Sequence, residues 1–77
     1  MSDVNAVMAL KNAWSGVIAA SDRVRELAPS VAGLPDGMAL GELDLDTYHN
    51  VALAHANAVM ALRGLVEQLR ERAGKVG

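Results

Sequence analysis

Two apolar stripes at helical spacing constrain this chain more than anything else in it. Val4, Val7, Leu10, Trp14, Val17, Ile18 and Val24 recur at steps of three and four residues, the period that gathers side chains on one face of an α-helix. Further on, Val51, Ala58, Leu62, Leu65 and Leu69 form a second inward face, with Tyr48, Val59 and Val66 at its edge. The spacing predicts helices over residues 3–28 and 44–73, each roughly 40 Å long. Ser2 or Asp3 is placed to cap the first, because a side-chain oxygen there satisfies an orphan N–H. Pro29 is expected to close it, since a proline pushes the residue before it out of the α region. Asp44 is placed to cap the second helix, Leu43 could staple against Tyr48 across that cap, and Gly74 follows as a stop. Gly16 lies mid-helix at a cost of about 1 kcal/mol relative to Ala, and is read as a point where a neighbouring helix approaches closely.

Two helices of matched length, joined once, give an all-α antiparallel helical hairpin. The connection over residues 29–43 is long for this purpose. It holds two Pro and three Gly, yet also Val31, Leu34, Met38, Leu40 and Leu43. A flexible linker would not carry that many apolar residues, so it is expected to pack over the closed end, with a short helical turn. Pro35-Asp36-Gly37 is a turn signal. A partner-binding strap is the alternative, because long loops often carry function.

The hexapeptide NAVMAL occurs twice, at residues 5–10 and 57–62, followed by Lys11 and by Arg63. In a hairpin, Leu10 and Leu62 are expected at nearly equal distance from the bend. The two copies then lie side by side at the open end, running antiparallel. A helix duplication would produce such a repeat, but two solutions to one packing problem in an Ala-rich chain is the preferred reading.

The 77 residues make one domain at most, and a core that small is marginal without a staple. There is no Cys, hence no disulfide, thiolate metal site or Cys nucleophile. The net charge is −2, which argues against nucleic acid, a ligand that demands a basic footprint. Arg63, Arg70, Arg72 and Lys75 are interleaved with Glu67 and Glu71 and read as a solvated helix face. No apolar run reaches the length of a membrane span, and the N-terminus lacks the basic start of a signal peptide. The chain is therefore expected to be cytoplasmic, with secretion lacking a cleaved signal, or association with a virion, as alternatives. The Ala-, Val- and Leu-rich composition, without Phe, points to a high-GC source such as an actinobacterium or one of its phages.

No constellation for catalysis emerges. His49 and His55 are six residues apart, about 120° around a helix, and cannot share a metal as an i, i+4 pair would. Asp44 and Asp46 read as helix-start acids rather than metal ligands, and His55 as a packed histidine at the edge of the apolar face, with a pH-sensitive contact as the sharper alternative. Ser15, Ser21 and Ser30 lack a nucleophile elbow, and no glycine loop has the spacing and Lys of a phosphate cradle. The four Met read as core filler. The expectation is a non-enzymatic protein with no cofactor and no metal.

Trp14-Ser15-Gly16 resembles the W-x-G tripeptide of the WXG100 (ESAT-6-like) family. The resemblance implies a small helical hairpin that pairs with a different small partner and leaves high-GC Gram-positive cells by type VII secretion. That family carries W-x-G between its helices, whereas the periodicity here puts it mid-helix. The family's export signal, a Tyr with an acid four residues on, follows the second helix. Here Tyr48 opens that helix and Ala52 stands at the acid's spacing.

The decisive expectation is association. Apolar residues of the first helix spread over about 200° of its circumference, wider than the roughly 100° stripe needed for one neighbour, and Leu53 and Met60 lie on another side of the second. A homodimer forming a four-helix bundle would cover them. The expected interface residues are Val7, Leu10, Trp14, Val17, Ile18, Val24, Leu53, Met60, Leu62, Leu65 and Leu69, with Trp14 at the centre. A helical protein partner, including a host protein docked by a phage-encoded accessory protein, is the alternative occupant.

Overall fold

The computed structural model describes residues 3–75. Helix α1 spans Val4–Ala32, a 3-10 turn spans Leu40–Glu42, and helix α2 spans Leu45–Lys75. The two helices pack antiparallel into a hairpin with extents of 59 × 17 × 16 Å.

Burial follows a heptad in both helices. On α1 the shielded residues are Ala6, Leu10, Ala13, Val17, Ala20 and Leu27, with Ser21 at e beside them; Val24 continues the step pattern but is exposed. On α2 they include Tyr48, Val51, His55, Ala58, Leu62, Leu65 and Leu69. Alternating steps of three and four residues hold one seam toward the partner helix along its whole length. These are the a and d positions, and the remaining letters place every other residue.

Helix α1 does not stop at Pro29 as expected; it runs through it to Ala32. Pro29 falls at an f position, opposite the seam and exposed. Its ring removes one N–H, so the Arg25 carbonyl loses its helical donor, but on the outer side that carbonyl is met by water. The chain leaves the helix at Gly33, whose N–H donates to the Pro29 carbonyl at 3.1 Å. At the other end Asp3 occupies the N-cap without a side-chain capping bond; its carbonyl accepts from the Val7 N–H at 3.0 Å. Ser2 lies outside the described residues. Asp44 does cap α2, with Oδ1 accepting from the Thr47 N–H at 3.4 Å and the carbonyl from Tyr48 at 3.2 Å. The second helix also continues past its expected stop, through Gly74 to Lys75.

The connection is partly packed. The Met38 N–H closes the Pro35 turn at 3.1 Å, and Glu42 and Leu43 donate back to Ala39 and Leu40 at 3.0 and 3.2 Å. Leu34, Met38 and Leu43 are half-buried against the closed end, while Leu40 is exposed.

The NAVMAL copies are not side by side. Leu10 shares the open-end cleft with Leu69, two helical turns beyond Leu62. Extension of α1 past Pro29 and the 3-10 turn shift the bend, so equal distances along the sequence are not equal heights. Instead the two copies share a heptad register. In each, Asn sits at c, Ala and Leu at the seam positions d and a, Val at e and Met at f. Ala6, Leu10, Ala58 and Leu62 are shielded, while Val7, Met8, Val59 and Met60 are exposed.

Candidate helix-docking face

In an antiparallel pair, the e positions of both helices border one side of the seam and the g positions the other. The clefts between the helices place them so. Arg23, Thr47 and Ala54, all at g, line one. Ala28 and Ala52, both at e, line a second of ≈ 500 Å³ near the closed end. Val7 and Ala73, again at e, line a third at the open end. The hairpin therefore has two unlike flanks.

The g/c flank is polar and small. All four asparagines, Asn5, Asn12, Asn50 and Asn57, lie at c, with Ala9, Gly16, Ala54 and Ala61 beside them. Gly16 is no crossing point: it lies at g, beside the seam rather than in it, and a Cβ built there meets nothing within 4 Å.

The e/b flank is apolar toward the open end. Val4, Val7, Trp14 and Ile18 come from α1, and Val59 and Val66 from α2. Trp14 is 56% exposed and Ile18 51%, which for an indole at mid-helix is a large apolar area left in water. The charged residues of this flank are Lys11, Arg25, Arg63 and Arg70, all basic. Two are tied along their own helices: Arg25 to Asp22 at 3.6 Å and Arg63 to Glu67 at 3.1 Å. These pairs are exposed and contribute well under 1 kcal/mol each, but they neutralise half of the basic charge.

The expected interface residues separate into three groups. Leu10, Val17, Val24, Leu62, Leu65 and Leu69 belong to the seam within one chain. Val7, Trp14 and Ile18 lie on the e/b flank. Leu53 and Met60 lie at f, on the outer ridge opposite the seam, 49% and 68% exposed. Val59 and Val66, placed by sequence at the edge of the inward face, lie at e beside the seam, Val66 half-buried and Val59 exposed, on the same side as Trp14. The doubled Val-x-x-x-base spacing of Val7/Lys11 and Val59/Arg63 was the sequence signal for that flank.

Among the described residues no three His, Cys, Asp or Glu side chains gather as a metal site. His55 sits half-buried in the seam and His49 is exposed. No described helix is long and apolar enough to cross a membrane. No protein family, curated protein or solved structure matches the chain.

Proposed function

We propose that this protein is a non-enzymatic helix–helix association module that acts by pairing with a second copy of itself. The observation that carries the reading is the near absence of a core. Val51, at 8% exposure, is the one buried hydrophobic residue among those described. A chain with that little interior lacks the apolar burial that offsets the entropy of ordering its backbone. Its surface supports the same reading. The hairpin exposes 6260 Å², whereas a compact folded chain of this mass exposes on the order of 4,500 Å². A second hairpin laid on the apolar flank would remove the excess and complete a four-helix bundle.

Sedimentation equilibrium at micromolar concentration tests the reading. The expected result is twice the chain mass. A well-folded monomer would remove self-association and leave a helical partner of different sequence as the occupant.

A further inference from the structure

The seam is left open at one place. Val24 and Val31 hold a positions, yet they are 41% and 45% exposed; among the described residues no other large hydrophobic at a seam position is exposed. Both belong to the ≈ 500 Å³ cleft near the closed end, which Leu27, Tyr48 and Val51 also line and no charged side chain enters. The chain does not fill this cleft itself, because the e residues at its rim are Ala28 and Ala52. Toward the open end the same e row of α1 carries Trp14, 56% exposed. A hole without an occupant and a knob without a hole thus share one flank. We infer that two copies pair through this flank about a two-fold axis that crosses the helices at Ser21, so that Trp14 of each copy fills the closed-end cleft of the other. The inference rests on the self-association proposed above.

An axis across the helices lays α1 on the second α1 in reverse and points the connections to opposite ends. Centred on Ser21, it brings residue 14 level with residue 28 of the other copy and maps the e row onto itself. Trp14 then faces Ala28 and Ser21 faces its own counterpart. Large against small is the pattern that lets packed layers interdigitate, and a small residue at the axis lets the copies approach. Because e residues border the seam, the indole arrives over the cleft between the helices rather than on an outer ridge. An axis along the helices would instead keep heights. Interpolating between the two e-side clefts, Trp14 would then meet the level of about Gly64, and the closed-end cleft would face only its own copy.

Charge favours the same axis. The flank's charged residues, Lys11, Arg25, Arg63 and Arg70, are all basic, and three of the four lie in its open half. An axis along the helices would stack open half on open half and gather like charges, which disfavours an interface. The axis at Ser21 sets the open half against the closed half, where the flank carries only Arg25, tied to Asp22, and His49. By the same interpolation Arg70, in neither ion pair, comes level with the start of the second copy's α2. Glu42, Asp44 and Asp46 are all exposed there. Centring on Ser21 rather than on the midpoint of α1 near Ile18 leaves about 9 Å of the 59 Å length unpaired. What remains offers on the order of 800 Å² per partner, the size of a standard interface.

The chain has no Cys, so a single introduced thiol labels it cleanly. Asn5 lies at c, outside the paired flank and near the open end. Spin-labelled Asn5→Cys should give an inter-label distance of roughly 50 Å, because the rise from Asn5 to Ser21 is about 24 Å on each side of the axis. An axis along the helices would hold the labels within roughly 35 Å, since packed helix axes lie about 10 Å apart. Ala28→Leu fills the cleft from within its own chain at an exposed position. It should weaken the dimer roughly tenfold or more in sedimentation equilibrium, although it adds apolar surface. A dimer with close labels would overturn the axis. A dimer with distant labels that Ala28→Leu leaves unchanged or tightens would overturn the seating of Trp14. A species of single-chain mass would instead remove the self-association on which both depend.

Discussion

Trp14 is the residue on which most turns, and its position in the heptad explains why. It occupies e, one step off the seam, so the second helix of its own chain covers less than half of it. Trp14→Ala therefore removes little packing within a hairpin. The cost falls on association, where a central aromatic anchor is worth about 2 kcal/mol or more, roughly 30-fold in Kd. Sedimentation equilibrium on the variant measures it, and Leu53→Ala on the outer ridge is the comparison, expected to leave Kd within a few-fold. His55 makes the opposite case. It takes a seam position where the neighbouring heptads carry Val51, Leu62 and Leu65, and Ala20, Ser21 and Val24 lie on the helix facing it. His55→Leu would extend the apolar seam through that level. A gain of about 1 kcal/mol is expected, which in a domain of this size raises Tm by roughly 4–8 °C. A thermal melt by circular dichroism that shows no rise would mean that the imidazole holds a polar contact the seam depends on.

At the scale of the helices, two of the three glycines inside them, Gly16 and Gly64, have no packing role. Gly16 and Gly64 each leave open space where a Cβ would go, and neither has a positive φ. Each Gly→Ala change should stabilise by about 1 kcal/mol, the difference in helix propensity, read as a shift in denaturation midpoint. A loss of stability at Gly16 would indicate that another chain packs closely against the Asn flank, contrary to the placement proposed here. The helices themselves were legible in the sequence because their apolar period is long and regular. Their ends were less so. Pro29 reads as a stop from its dihedral preference alone; whether a helix tolerates it depends on which way the orphaned carbonyl faces, and that is set by the heptad. The apolar spread of α1 was also legible, but not its division. Leu10, Val17 and Trp14 look like one face at three- and four-residue steps, and only the position of α2 divides them into seam and flank. The repeated hexapeptide, read as a pair of neighbours, is better understood as one register used twice. It writes Asn on one flank and Val with a following base on the other, in both helices.

For the whole molecule, the proportions connect stability to association. In a hairpin 59 Å long and two helices wide, almost none of the described residues is surrounded on all sides, and among them Val51 alone is buried. Domains of ordinary stability hold 5–15 kcal/mol in reserve, most of it from apolar area removed from water. The seam here is half-shielded rather than buried, with Ala at Ala6, Ala13, Ala20 and Ala58 contributing little area each. Covering the Trp14 flank would shield the seam from its open side as well, so a second copy would stabilise the contacts within each hairpin along with those between hairpins. Folding and pairing should then be one event. Dilution is expected to lower helicity at 222 nm and shift Trp14 emission to the red over the same concentration range, and Tm should climb as concentration rises, as mass action requires when only the folded state binds. If helicity instead persists unchanged while Trp14 becomes exposed, the seam suffices to hold each hairpin by itself and pairing is a separate, weaker step. In that case Trp14→Ala should yield a folded monomer; under coupled folding it should yield an unfolded chain at the same concentration.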